Sequence, residues 1–244
     1  MSPPFIRCRD VQKSFRDKVV LRGVTLEVHA GEALVLLGGS GSGKSVLLKH
    51  LNGLLRADAG SVEIEGTPLE PLDEEALVPI RRRVSMLFQQ GALFDSLTVG
   101  DNVAFPLREH HMLPDAQIPG RIAEALAMVG LEGTQRLMPA ELSGGMRKRA
   151  ALARALVLEP KVLLYDEPTT GLDPVVAAKI NHLIRDLQHR LGVTSVVVTH
   201  DLASAFYVAD RIAFLYDGRI RFTGTPSEAR ASTDAPLREF LTAA

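Results

Sequence analysis

Two stretches with the pattern of buried strands flank a middle stretch with the pattern of helices. In the first, residues 19–39 (VVLRGVTLEVHAGEALVLLGG) alternate apolar and polar positions and then become a continuous apolar run at 33–37. Alternation predicts a half-buried strand, and a short apolar run predicts a fully buried one. Residues 45–55 (SVLLKHLNGLL) predict a helix that ends before the turn sequence DAG at 58–60, and residues 61–69 (SVEIEGTPL) return to the strand pattern.

The second block again alternates strands with helices. Residues 161–168 (KVLLYDEP) and 194–201 (TSVVVTHD) predict buried strands, and residues 211–226 predict a hairpin that turns at Asp217-Gly218. Between them, residues 174–191 predict a helix. Its apolar face comprises Val176, Ile180, Leu183, Ile184, Leu187 and Leu191. Strands that alternate with helices favour an α/β core with a parallel sheet.

The middle stretch, about 89–157, has helical periodicity interrupted by prolines, which predicts an inserted helical subdomain. The core then comprises about 1–88 and 158–229, within a single domain of 1–244. The short tail 230–244 carries three apolar residues that could pack or dock, namely Leu237, Phe240 and Leu241. The prolines that interrupt the helical periodicity of the middle stretch are Pro106, Pro114, Pro119 and Pro139.

Composition excludes several classes of protein. The chain has 244 residues, of which 46% are hydrophobic, which is enough for a full core. The net charge of −1 gives no electrostatic case for general nucleic-acid binding. The single cysteine, Cys8, cannot form an internal disulfide and is expected to be a small residue of an N-terminal strand in a reducing compartment. No signal peptide is expected, and no apolar run approaches the ~18 residues of a membrane span.

A glycine-rich segment after the first buried strand matches the phosphate-binding pattern G-x-x-x-x-G-K-[ST]. Glycines allow backbone conformations that point successive N–H groups inward, and these groups together with the helix N-terminus bind phosphate oxygens. The lysine would bind the β- and γ-phosphates, and the serine hydroxyl would bind Mg²⁺. The residues of this cradle are Gly38, Gly39, Ser40, Gly41, Ser42, Gly43, Lys44 and Ser45, with Val46 following.

Two carboxylates end the strand of residues 162–166 and are expected to reach one site if the chain turns at Pro168. Asp166 would hold Mg²⁺ through water. Glu167 would polarise the water that attacks the γ-phosphate, a general-base role worth about 10²–10⁴ in rate.

Two further polar residues follow predicted strands. His200 ends SVVVTH, and Gln89 closes VSMLFQ. Ligand sites of open α/β sheets lie at the carboxyl ends of the strands, so His200 is expected to contact the γ-phosphate. Gln89 is expected to contact both Mg²⁺ and the attacking water.

Together these residues resemble the ATP-binding-cassette (ABC) ATPases. GGSGSGKS is similar to their Walker A motif, VLLYDE to Walker B, and Gln89 to the Q-loop residue. Gly171-Leu172-Asp173 resembles the D-loop, His200 the switch histidine, and LSGGM at 142–146 the family signature. The resemblance implies a P-loop NTPase (RecA-like) core with a mostly parallel sheet, an antiparallel β subdomain and an inserted helical subdomain. It also implies ATP and Mg²⁺ as the ligands.

The resemblance implies that two copies face head to tail and dimerise on binding ATP. Ser143, Gly144 and Gly145 of one copy would cap the ATP held by the cradle of the other, and Asp173 would contact nucleotide as well. Phe15 stands where the family usually has a tyrosine that stacks on adenine, with a core phenylalanine as the alternative. The chain departs from the family at Met146, where glutamine is commonest, and at Val46, where a second hydroxyl residue is frequent.

Finer similarity extends to the ATPases of bacterial phospholipid transporters of the Mla or Mce-associated type, through residues 91–110, 142–156 and 236–241. It implies a separate membrane permease, an Mce-domain lipid-binding partner, and a place on the cytoplasmic face of the inner membrane. The alternative is an importer subunit for polar amino acids or another small solute. A nucleic-acid role for the basic runs 81–83 and 147–149 is a further alternative, although such runs are usually solvated faces.

Overall fold

The computed structural model describes residues 3–243, which form two β-sheets surrounded by helices. The strands are β1 (Ile6–Phe15), β2 (Lys18–Val28), β3 (Ala33–Leu37), β4 (Ala59–Ile64), β5 (Thr67–Pro68), β6 (Val84–Leu87), β7 (Val162–Asp166), β8 (Thr194–Thr199), β9 (Arg211–Tyr216) and β10 (Arg219–Gly224). The helices are α1 (Lys44–His50), α2 (Glu74–Arg83), α3 (Val99–Glu109), α4 (Ile118–Met128), α5 (Gly144–Leu156), α6 (Pro174–Leu191), α7 (Leu202–Val208), α8 (Pro226–Ala231) and α9 (Ala235–Ala243). Short 3₁₀ turns occupy Asp115–Gln117 and Pro139–Glu141.

The central sheet has the strand order β10-β9-β3-β8-β7-β6. All its neighbours pair in parallel except β10, which forms an antiparallel hairpin with β9. Asp217 and Gly218 both have positive φ at the hairpin turn, as a tight two-residue turn requires. The predicted α/β fold with a mostly parallel sheet is therefore confirmed.

A second, antiparallel sheet has the order β2-β1-β4-β5. Its inner face packs against the central sheet through a shared apolar cluster that also includes α1. Cys8 lies on β1 within this cluster, and complete burial raises the pKa of its thiol to about 12. The expectation that Cys8 is a small residue of an N-terminal strand is confirmed.

Both faces of the central sheet are covered, which is why β3 has the sequence of a continuous apolar run. Alternate residues of β3 point to opposite sides. Leu34 and Leu36 pack towards α1 and the antiparallel sheet, whereas Val35 and Leu37 pack with the helices α3–α7. Within residues 3–243, none of the helices combines the length and apolar character that crossing a bilayer would need.

The helical pattern of the middle stretch corresponds to α3, α4 and α5, whose apolar faces share one cluster with the central sheet. Asn102 is fully buried in α3 and holds the loop before it, because its amide donates to the carbonyls of Phe94, Leu97 and Thr98. Pro106 does not break this helix as expected but lies inside it. Its neighbours Val103 and Leu107 are buried and stabilise the helix on both sides of the proline.

Three other elements differ from the sequence prediction. The first helix ends at His50 rather than near residue 55, and Gly53 continues the chain with φ of +70°. Helix α2 was not predicted. On α6, Leu191 is exposed rather than part of the buried face, because it is the last residue of the helix. The tail takes the packed alternative of its prediction, since Leu237 is buried and the ring of Phe240 lies 5.4 Å from that of Phe214.

Candidate functional site

Four neighbouring strands of the central sheet, β3, β8, β7 and β6, end at the same edge. The register aligns their last residues: Leu37 pairs with Thr199, Val198 with Asp166, and Tyr165 with Leu87. The segments that follow are the glycine-rich cradle, His200, Glu167 and the turn containing Gln89. The structure thus places at one sheet edge candidate site residues that are more than 150 residues apart in the sequence.

The glycine-rich cradle needs glycine at defined positions. A Cβ on Gly38 would lie 2.4 Å from the carbonyl oxygen of Leu215 on β9, which is closer than packing allows. Gly41 and Gly43 have φ of 77° and 104°, a region that favours residues without a side chain. Ser42 Oγ is buried and has no hydrogen-bond partner within residues 3–243, which is uncommon for a hydroxyl.

Lys44 lies at the centre of the cradle and is buried. Its Nζ donates to the carbonyls of Gly38 (2.8 Å) and Gly39 (3.0 Å) and lies 3.8 Å from Glu167 Oε1. Burial lowers the pKa of Lys44, while the negative charges of Glu167 and Asp166 act in the opposite direction. Lys44 therefore links the cradle on β3 to the carboxylates on β7.

The two carboxylates converge because the chain turns at Glu167 itself, one residue earlier than expected. Glu167 has φ of 49°, a left-handed conformation that costs a non-glycine residue about 1–3 kcal/mol. Strain of this kind concentrates at functional sites. Asp166 Oδ1 accepts a hydrogen bond of 2.6 Å from Ser45 Oγ. The Glu167 carboxylate accepts hydrogen bonds of 3.0 Å from His200 Nδ1 and from Thr170 Oγ1.

Gln89 reaches this site through its backbone. Its side chain is exposed, and no hydrogen bond within residues 3–243 joins it to Ser45 or Asp166. Its carbonyl oxygen instead accepts a hydrogen bond from Lys148 Nζ of α5. Lys148 was not predicted as a site residue, because it lies in the basic run 147–149. The signal was its spacing, since it follows the buried Gly145 by three residues and precedes the buried Leu152 by four.

The signature turn LSGG lies at the start of α5 and is exposed at Ser143 and Gly144. Ser143 Oγ caps the helix by accepting from the Met146 N–H at 3.3 Å. A Cβ on Gly145 would lie 2.5 Å from Val176 of α6, so this glycine allows α5 to pack against the D-loop helix. Within residues 3–243, no hydrogen bond or salt bridge joins the signature turn to the cradle.

Two other predicted contacts have local roles. The Asp173 carboxylate caps α6 by accepting from the N–H groups of Val175 (3.1 Å) and Val176 (3.0 Å). Phe15 is 44% exposed at the end of β1, with Lys13 Nζ 5.6 Å from its ring centre. The alternative of a core phenylalanine is therefore wrong. A cavity of 320 Å³ lies between the β1–β2 turn and the cradle, lined in part by Lys18, Val20, Gly41 and Ser42.

The model of the ABC transporter family matches residues 21–170, more than half of the chain. This chain belongs to the ABC transporter family. It is 45% identical over 237 residues to the probable ribonucleotide transport ATP-binding protein mkl of Mycobacterium tuberculosis, covering 97% of this chain and 66% of mkl. It is 40% identical over 233 residues to the intermembrane phospholipid transport system ATP-binding protein MlaF of Escherichia coli K12, covering 96% and 87%. The chain thus spans just under two thirds of the mycobacterial relative's length.

Solved structures of other ABC cassettes have the same fold. A dimeric post-hydrolysis structure of the ATP-binding cassette MJ0796, bound to ADP and Pi, is 34% identical, with a TM-score of 0.83 over 91% of this chain and 98% of that chain. The structure of cbiO1 from Clostridium perfringens, part of the ABC transporter complex cbiONQ, is 29% identical, with a TM-score of 0.86 over the whole of both chains. The predicted membership of the ABC family and the predicted P-loop α/β fold are confirmed.

Proposed function

We propose that this chain is the ATP-hydrolysing subunit of a phospholipid transporter, and that two copies close on ATP to drive a separate permease. The observation that carries the proposal is the convergence of Lys44, Ser45, Asp166, Glu167 and His200 at one edge of the central sheet. These are the groups that phosphate binding, metal binding and activation of a water molecule require.

The cradle residues fit a nucleoside triphosphate. Backbone N–H groups of residues 39–45 would bind phosphate oxygens, as would the Ser42 hydroxyl, which has no hydrogen-bond partner in the described part of the chain. Lys44 would bind the β- and γ-phosphates. Phe15 is exposed and pairs with Lys18, which lines the same cavity as Gly41 and Ser42, so its ring is available for stacking on adenine. Val46 is partly buried and packs inward, so its departure from the family pattern removes no exposed group.

Glu167 is the proposed general base. The hydrogen bonds from His200 and Thr170 hold its carboxylate, so that one oxygen can accept a proton from water as it attacks the γ-phosphate. His200 is half exposed and can contact the γ-phosphate through its other ring nitrogen. Gln89 would orient the water from the adjoining strand end.

The oxygen atoms of Ser45 and Asp166 suit Mg²⁺, which usually takes one or two carboxylates together with substrate phosphates. Their 2.6 Å separation shows that both reach one point. Ser45, Gln89 and Asp166 would hold the ion, and Mg²⁺ would neutralise charge that develops on the phosphates.

The permease is proposed to dock in a groove of 470 Å³ between the core and the helical insertion. Phe94 and Phe105 are exposed along it, and Phe88, next to Gln89, forms part of its wall. Exposed aromatic residues in a concave surface are typical of protein contacts. A helix of the permease placed here would contact the segment that carries Gln89, which gives transport a direct connection to hydrolysis. Such docking would place the chain on the cytoplasmic face of the inner membrane.

Phospholipid is the proposed cargo because of the similarity to MlaF, with an Mce-domain protein as a further partner. The name of the mycobacterial relative favours a second candidate, a polar solute such as a ribonucleotide. The basic run at 81–83 gives little support to nucleic-acid binding, because Arg81 pairs with Glu74 and Arg83 with Glu65.

Isolation of the chain from membranes with its partner proteins tests the proposal. We expect a permease and an Mce-domain protein to co-purify, and the reconstituted complex to move labelled phospholipid between vesicles when ATP is supplied. Recovery with a solute-binding protein, and ATP-driven uptake of a solute, would support the second candidate. Phe105→Glu should abolish permease binding but not ATP binding, whereas Leu191→Glu, at an equally exposed apolar position outside the groove, should leave both unchanged.

A further inference from the structure

Lys148 is a buried cation outside the motifs used so far. It lies on α5, five residues after Ser143, and is only 7% exposed. Its Nζ donates to the carbonyl oxygen of Gln89, just beyond β6, and to that of Glu167, just beyond β7, at 3.5 Å for the latter. A single side chain therefore joins the signature helix to the ends of two neighbouring strands.

Burying an ammonium group is costly unless hydrogen bonds and opposite charges compensate for lost water. Burial lowers the pKa of Lys148, and the negative charges of Asp166 and Glu167 offset part of that effect. The site then contains two buried lysines, Lys44 and Lys148, and two buried carboxylates. The charges balance within the chain, which makes a buried cation at this position sustainable.

We infer that Lys148 is a positioning residue for hydrolysis, which holds the backbone of Gln89 and that of Glu167 at a fixed separation from the signature helix. The inference rests on the proposed function. Ser143 and Lys148 are about 7.5 Å apart along the helix axis, at 1.5 Å per residue. A movement of α5 that brings its signature turn to a nucleotide must therefore also move the group that holds Gln89 and Glu167.

Other contacts of α5 allow the positioning of Gln89 and Glu167 to be distinguished from simple attachment of the helix. Arg154, also on α5, donates to the carbonyls of Gly91 (2.8 Å) and Ala92 (2.7 Å), so the segment after Gln89 has a second anchor. Loss of Lys148 should therefore leave the fold intact and disturb only the geometry at Gln89 and Glu167.

Arg149 provides a matched control. It is the next residue on the same helix, and its guanidinium also donates to two backbone carbonyls, those of Val129 (3.2 Å) and Gly130 (2.9 Å). These lie at the end of α4, away from the sheet edge. Arg149→Met thus removes an equivalent attachment of α5 without touching the site.

Steady-state ATP hydrolysis by the full chain tests the inference. Lys148→Met should lower kcat by about ten-fold or more, since a shift of about 1 Å in positioning can cost 10²-fold, and should leave the KM for ATP within about two-fold. Lys148→Gln, which keeps a donor for the carbonyls, should restore kcat to within about three-fold. Arg149→Met should match the wild type. An unchanged kcat in Lys148→Met, or a loss that Lys148→Gln does not rescue, would overturn the inference.

Hydrogen exchange separates failure of the inference from failure of the proposed function. Lys148→Met should speed exchange of the amides at 88–92 and leave those at 129–131 unchanged, and Arg149→Met should do the reverse. Equal exchange at 88–92 in Lys148→Met and wild type would overturn the inference whether or not ATP is hydrolysed. A wild-type chain that hydrolyses no ATP, alone or with its permease, would instead refute the proposed function.

Discussion

The chain has two turns rich in glycine and serine. They differ in the contacts that each makes with the rest of the same chain. The cradle at 38–45 connects the buried strand β3 to helix α1, and its lysine and serine contact the carboxylates at the end of β7. The signature turn at 142–145 is exposed at Ser143 and Gly144, and within residues 3–243 its hydrogen bonds stay within its own helix and the preceding 3₁₀ turn.

Similar local sequences can therefore have different roles, depending on the groups that surround them in the fold. The cradle can bind phosphates with groups that one chain supplies. The signature turn has N–H groups at a helix start, where the helix dipole favours an anion. Among the described residues, Arg147 donates to the carbonyl of Leu142 in this turn, but no hydrogen bond joins the turn to Lys44 or to Glu167. A turn of this kind can act on a nucleotide held by a second copy, which is the arrangement that the predictions below examine.

The largest effect is expected from Glu167→Gln, which removes the proposed base and keeps the shape of the side chain. Turnover should fall by about 10²–10⁴-fold, while ATP still binds. The variant should then accumulate as a dimer in gel filtration with ATP and Mg²⁺. Glu159→Gln, at an exposed glutamate, serves as the control. An ATP-bound Glu167→Gln variant that remains monomeric would contradict the idea that two turns share one nucleotide.

Ser143→Asp should impair the signature turn and leave the cradle unchanged. Aspartate still caps α5, but it places a negative charge where the γ-phosphate of the second copy would lie. We expect normal ATP binding by the monomer and hydrolysis lowered by about 10²-fold, the effect of losing a charge-assisted contact of about 1.5–3 kcal/mol. Ser143→Asn, which has the same size and no charge, should hydrolyse far faster. Normal hydrolysis by Ser143→Asp would show that the signature turn does not contact nucleotide.

Lys44→Ala should weaken nucleotide binding itself. The loss of a charge-assisted hydrogen bond of about 1.5–3 kcal/mol corresponds to about 10- to 100-fold in the Kd for ATP. Titration with labelled ATP provides the measurement. Lys49→Ala, on the same helix and more exposed, should bind as the wild type does. Equal affinity in Lys44→Ala would mean that the cradle does not depend on its own lysine.

The smallest effect on ATP binding is expected from substitution of Phe15. Phe15→Ala should raise the Kd for ATP by up to about ten-fold, as expected for an aromatic contact of about 0.5–1.5 kcal/mol. The chain has no tryptophan, so Phe15→Trp introduces a single fluorophore whose emission should change when ATP binds. Phe105→Trp, in the groove, supplies the comparison. No emission change at position 15 would exclude stacking on the base.

Much of the fold could be predicted because local patterns determine local structure. Neighbouring residues were enough to predict three elements, namely the strand at 33–37, the hairpin turn at Asp217-Gly218 and the helix at 174–191. The positions of Lys44, Asp166 and His200 at one edge followed from a general rule of parallel sheets. The helix α2 and the early end of α1 could not be predicted, because packing against other elements sets their limits.

Motif spacing is a property of the chain, so the residues alone indicated which groups the site contains and which strand ends carry them. Three features followed from the folded chain instead, namely the burial of Lys148, the exposure of Phe15 and the turn at Glu167. Lys148 lies in a basic run typical of a solvated face, and Phe15 has a side chain typical of a core. Burial depends on what packs against a residue, and the elements that do so are distant in sequence. The spacing of Lys148 from Leu152 could therefore make it a candidate for burial but could not decide it.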